Sequence, residues 1–141
     1  MISLDEGLSR LLAQARPLGD EPVGLEAAYG RVLAAPLSAR GDAPQAAVSA
    51  MDGYAVFDAD LATTPARLPI AARIFAGAAD PAPLEPGTCA RIFTGAPVPP
   101  GADRVVIQEQ VRPDGDAAVF EAAPGAARHI RAAGSDFKVG D

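Results

Sequence analysis

Apolar positions near the start of the chain recur at helical spacing: Leu4, Leu8, Leu11, Leu12 and Ala15 fall on one face. Ser3-Leu4-Asp5-Glu6 in front of them has the form of a capping box, in which Ser3 closes the first turn and Glu6 reaches back. Pro17 and Gly19 end the pattern. A helix of about three turns is marginal by itself, so its leucine face is expected to be buried in a core or an interface. Leu25–Tyr29 reads as a second short helix closed by Gly30, and Arg31–Ala34 as an extended exit.

Beyond Pro44 the period changes from helical to alternating. Tyr54–Phe57 is a short strand, and Leu68, Ile70, Ala72 and Ile74 alternate with Pro69, Ala71 and Arg73. Pro69 has no amide to give to a ladder, which predicts an edge strand there. Gly77–Gly87 is a proline-rich loop. Two more strands, Ala90–Phe93 and Arg104–Gln108, flank the Gly95–Gly101 turn. Pro113-Asp114-Gly115 turns between Ile107–Arg112 and Ala117–Phe120 as a hairpin. Gly125 breaks the pattern, and Arg128–Arg131 resumes an extended run. Helices followed by five or six short strands predict an α+β fold. Its expected organisation is a small helical/extended subdomain, residues 1–44 and 125–141, interrupted by a β-barrel-like subdomain of short strands, residues 45–124.

Composition narrows the function classes. The 141 residues carry a net charge of −6, which repels phosphate and argues against nucleic acid as a partner. A few local arginines still suffice for an anionic small molecule. The lone Cys89 excludes an intramolecular disulfide, and within the strand-like Thr88–Phe93 it reads as a small buried side chain. No apolar run reaches membrane-spanning length and no basic leader precedes one, so no membrane partner is expected and the cytoplasm is the default compartment.

Three segments carry candidate chemistry. In Ser49–Ala55, Asp52-Gly53 is either a hairpin turn or a carboxylate aimed from a rigid edge, able to hold a hydrated Mg²⁺. In Arg91–Pro99, a strand delivers Thr94 into a Gly/Pro turn, where it either caps the turn or presents its hydroxyl and nearby amides to an anion. In Arg128–Asp136, Arg128 and Arg131 precede Asp136; they pair among themselves, face solvent or receive a phosphate. His129, the only histidine, has no visible Ser or Cys partner and reads as structural.

These segments occur in a fixed order. Ala50-Met51-Asp52-Gly53-Tyr54-Ala55-Val56, then Arg91-Ile92-Phe93-Thr94-Gly95-Ala96-Pro97-Val98-Pro99, then Val105-Val106-Ile107-Gln108-Glu109 together resemble the signature set of the MoeA/gephyrin E-domain family, the molybdopterin molybdenumtransferases. Gly30–Ala34 and the stretch from Ile130-Arg131 to Gly134-Ser135-Asp136 match the same family, so the resemblance runs from Ser3 to Asp141 and is that of an N-terminal part. The chain departs at Ala47-Val48, where the family often has an acidic residue or Asn. The resemblance implies insertion of molybdate into adenylylated molybdopterin with release of AMP, assisted by Mg²⁺, in a homodimer. It also implies a cleft between the barrel-like subdomain of one subunit and the pterin-binding domain of the other. Asp52 and Thr94 match cleft-lining positions and stand as catalytic candidates. Asp136, Arg131 and Arg128 stand as substrate-binding candidates. The pterin-binding and C-terminal domains of the family lie outside this sequence, so these 141 residues alone are expected to be inactive. A non-catalytic dimerisation or scaffold module of the same family is the alternative.

Overall fold

The computed structural model describes residues 2–16 and 18–141. Pro17, expected to help end the first helix, lies outside the described residues. The chain forms two compact units, Met1–Leu37 and Ser38–Asp141.

In the first unit, α1 (Leu4–Leu12) begins at the expected cap: Ser3 Oγ accepts from the Glu6 amide at 3.1 Å. Arg10 pairs with Glu6 one turn back, at 2.6 Å. The second helical segment is a single 3₁₀ turn, Leu25–Ala27. None of the described residues of this unit is buried, and Leu4 is 86% and Leu11 71% exposed. Of the two coverings expected for the leucine face of α1, a core or an interface, this unit supplies no core, because none of its described residues is buried.

The second unit contains eight short strands. Two of them, β1 (Val48–Ser49) and β8 (Ile130–Arg131), pair antiparallel, and residues 39–43 run alongside 137–141 through further backbone bonds. The other six are β2 (Gly53–Val56), β3 (Ala66–Ile74), β4 (Cys89–Ile92), β5 (Arg104–Ile107), β6 (Val111–Asp114) and β7 (Ala117–Phe120). They form one sheet in the order β5-β2-β4-β3-β7-β6. Its two outer strands, β5 and β6, are consecutive in the chain and joined by one 3₁₀ turn, Gln108–Gln110. That short link requires the sheet to curl so that its edges approach, which gives the half-barrel. The α+β class with a strand-rich barrel-like part is what the structure shows.

Residues alternate between two apolar clusters along these strands. Tyr54, Val56, Cys89, Val106 and Phe120 lie in one, and Ala55, Ala90, Ile92 and Val105 in the other. Burial of the Val, Ile and Phe side chains among them contributes about 1.5–3 kcal/mol each. Pro69 corrects one expectation: β3 is an interior strand. It pairs with β7 over Ala66–Pro69 and with β4 over Ile70–Ile74, shifting register between Ile70 and Ala72. Pro69 sits where the strand changes partners, so its missing amide interrupts no continuous ladder. A hairpin does form before Ala117–Phe120, but its first arm is Val111–Asp114 rather than Ile107–Arg112: Gln108–Gln110 is a 3₁₀ turn, Pro113 and Asp114 pair with Ala118 and Ala117, and Gly115 turns the chain at φ 63. Cys89 is fully buried, and burial pushes its thiol pKa up to about 12. Among the described residues no helix is long and apolar enough to cross a membrane.

Candidate functional site

At one end of β2, β4 and β5 the apolar alternation gives way to polar side chains. Gly53 opens β2 between two partners, opposite Ile92 of β4 and Ile107 of β5. A Cβ there would overlap the Val106 carbonyl oxygen, so only glycine lets the three strands approach this closely. Asp52 is the residue before that constriction, and its carbonyl accepts from the Gln108 amide at 3.0 Å. The preceding turn is fixed by Ser49, a buried residue whose hydroxyl donates to the Met51 carbonyl at 2.6 Å. Backbone bonds from the Ser49 amide to the Ala96 carbonyl and from the Gly95 amide to the Ser49 carbonyl, 2.9 and 2.8 Å, tie this turn to the one after β4.

Asp52 and Thr94 consequently meet, although 42 positions separate them in the chain. Asp52 Oδ1 accepts from the Thr94 amide and from the Thr94 hydroxyl, both at 2.8 Å. Those two bonds, first the amide and then the hydroxyl, hold the carboxyl below its ordinary value of 3.8, with a smaller contribution from the Arg91 charge. The hairpin turn that Asp52-Gly53 could have made does not form, because β1 pairs with β8 and Gly53 already belongs to β2; Asp52 instead stands at the edge of that strand with its carboxylate accepting from Thr94. Among the described residues Oδ2 accepts no hydrogen bond. A carboxylate with one oxygen engaged and one free is both oriented and available.

Arg91 was not singled out as a site residue, yet it organises this end of the sheet. Its guanidinium donates to the Gly53 carbonyl at 2.7 Å and to Gln108 Oε1 at 2.6 Å. It lies 4.4 Å from the Phe93 ring centre and 5.3 Å from that of Tyr54. The sequence carried only a weak signal for it, an arginine between the apolar Ala90 and Ile92 of a strand. Phe93 is in turn stacked on Phe75, with centroids 4.7 Å apart and planes 9° from parallel.

The other three candidates lie in separate pairings. Arg128 donates to the Asp103 carbonyl and carboxylate, both at 3.0 Å, and reaches Asp58 at 3.3 Å. Asp58 is shared with the buried Arg104 at 2.5 Å, and Arg104 also donates to the carbonyls of Gly125 and Ala127 at 2.7 Å. Arg131 forms an ion pair with Asp136. None of the three hydrogen-bonds Asp52 or Thr94. Among the described residues no three or more His, Cys, Asp or Glu side chains gather as a ready-made metal site. A cation at Asp52 would therefore be held by one carboxylate, water and ligand oxygens, a donor set that suits Mg²⁺, which keeps several waters.

The chain has recognisable relatives among known proteins. Residues 2–141 match the family described as MoeA N-terminal region (domain I and II). The chain is 40% identical over 124 residues to a molybdopterin molybdenumtransferase of Nostoc, covering 85% of this chain and 28% of that protein. It is 36% identical over 143 residues to one of Haemophilus influenzae, covering 100% and 35%. A crystal structure of a molybdopterin biosynthesis MoeA protein from Pyrococcus horikoshii superposes with a TM-score of 0.84 at 30% identity, covering 97% of this chain and 38% of that one. The chain spans about a third of the length of the curated relatives it matches. By sequence along its whole length and by fold, this chain belongs to the MoeA N-terminal family.

Proposed function

We propose that this region forms one wall of a molybdopterin molybdenumtransferase site, where molybdate enters adenylylated molybdopterin and AMP leaves. The observation that carries the reading is the Asp52–Thr94 pair: a carboxylate oriented through one oxygen, ionised at neutral pH, with its second oxygen unengaged. Both reactants are anions, and a chain of net charge −6 must meet them with local cations. Arg91 supplies a fixed guanidinium beside Asp52, and Asp52 Oδ2 is the atom that would hold Mg²⁺. When bound, Mg²⁺ neutralises charge between the reacting oxyanions. The chain's own part is positioning: Thr94 holds the carboxylate, and the Ser49–Ala96 ties keep both turns in register.

The wider reading is a cytoplasmic homodimer in which the rest of the enzyme completes the cleft. The uncovered leucines of α1 support an association surface, since a nine-residue helix without a buried residue gains nothing from its own unit. Asp136 with Arg131, and Arg128, remain substrate-binding candidates by their match to the family motif, although both arginines are engaged by aspartates here. The 141 residues alone are expected to show no molybdate insertion.

The test is AMP release from adenylylated molybdopterin, with molybdate and Mg²⁺, by a full-length transferase carrying this region. Thr94→Val removes the hydroxyl that orients Asp52 and is expected to slow release on the order of tenfold, about 1.4 kcal/mol of barrier. Release at the unchanged rate would count against the site.

A further inference from the structure

Phe75 is 57% exposed, and no core packing accounts for its position. A single exposed aromatic ring is unremarkable. Phe75, however, is part of an ordered assembly that ends beside Asp52. The parallel register of β3 and β4 sets Arg73 opposite Arg91 and Ile74 opposite Ile92, and the Phe93 amide donates to the Ile74 carbonyl at 3.2 Å. This places Phe75 beside Phe93 one step further on, at the 4.7 Å spacing of neighbouring strands, with the rings almost parallel. Phe93 also carries the Arg91 guanidinium at 4.4 Å, and Arg91 is itself pinned by Gly53 and Gln108. Thr94, which holds Asp52, is the next residue after Phe93. Arg73, two positions before Phe75, forms no ion pair among the described residues.

We propose that Phe75, backed by Phe93 and Arg91, is a stacking platform for a planar heteroaromatic ring of the anionic substrate handled at Asp52. The inference rests on the transferase reading and adds to it a residue and a ligand chemistry. A ring stacked on an already ordered pair meets little ordering cost, because Phe93 and Arg91 are held before the ligand arrives. Aromatic platforms accept any flat heterocycle through its π-face. Two parts of an adenylylated pterin have that chemistry, the adenine and the pterin.

The experiment is titration of the 141-residue protein with AMP and, separately, with a phosphate-free pterin, followed by NMR shifts of the Phe75 and Phe93 rings. At least one ligand is expected to shift both rings. Phe75→Ala should weaken that ligand on the order of tenfold, and Phe75→Tyr should restore it. Preference for AMP assigns the platform to the adenylate end, and preference for the pterin assigns it to the other end. If neither ligand moves the rings at millimolar concentration, or if Phe75→Ala binds as well as wild type, the platform is overturned. The transferase reading stands or falls separately, on AMP release by Thr94→Val, which leaves Phe75 in place.

Discussion

Two aspartate–arginine clusters sit on the same curled sheet and differ in how completely they are satisfied. In one, Asp58 has both oxygens engaged, Oδ1 by Nε of the buried Arg104 and Oδ2 by Arg128, and Arg104 Nη1 donates to the carbonyls of Gly125 and Ala127. That cluster is closed: it fastens the 125–128 segment to β5 and has little left for a ligand. In the other, Asp52 is fixed through Oδ1 alone and Arg91 lies close by with a stacked, solvent-reaching aromatic pair. The same residue types therefore make a fastener in one place and a candidate site in the other. What separates them is the count of unengaged atoms.

The sharpest way to break this comparison is to remove the fastener. Arg104 is 6% exposed, and Arg104→Ala would leave Asp58 Oδ1 and two carbonyls without this donor. Unfolding by denaturant should show a loss of about 3 kcal/mol. A loss under about 1 kcal/mol would show that the cluster is ornamental.

A second test uses acid. Asp58 is held below its ordinary 3.8 chiefly by its hydrogen bond from Arg104, whereas Asp52 is held down chiefly by the Thr94 amide. Both are depressed carboxylates, so their stabilisation is complete above the ordinary value and is lost as pH falls through their lower folded values. NMR titration of the side-chain carboxyls should find the Asp58 pKa raised in Arg104→Ala, since its chief partner is gone. Asp52 should remain depressed in Arg91→Met, since its principal partner is a backbone amide. Asp52 returning to 3.8 in Arg91→Met would assign its ionisation to the arginine instead.

The smallest effect belongs to Arg131→Ala. Its pair with Asp136 is about half exposed on both sides, and such pairs contribute roughly 0–1 kcal/mol. A shift in thermal midpoint beyond a few degrees would make this pair a structural element rather than a surface one.

Much of this was legible in the sequence because it is local. The Ser3 cap, the 113–116 hairpin and buried Cys89 follow from short-range patterns that the fold leaves intact. The site was half legible: Asp52 and Thr94 were recognisable from their motifs, but their contact depends on β2 and β4 pairing across some forty residues. Arg91 went unselected because an arginine within a strand reads as surface until its neighbours Tyr54 and Phe93 are placed around it. Pro69 misled, since a proline marks an edge only when the strand keeps one partner throughout. The leucine face of α1 has correct helical spacing, yet spacing states that a face is apolar and not what covers it.

The central claim is that the Asp52 carboxylate serves chemistry as well as its turn, and Asp52→Asn separates the two. Asn is nearly isosteric, tolerates the same turn geometry and can still accept from Thr94 through its amide oxygen. The measurement is AMP release by a full-length transferase carrying the substitution, with the thermal midpoint recorded on the same preparation. The account predicts a midpoint within a few degrees of wild type and release slowed on the order of tenfold or more. An unchanged midpoint with unchanged release would contradict it and leave Asp52 as a turn residue.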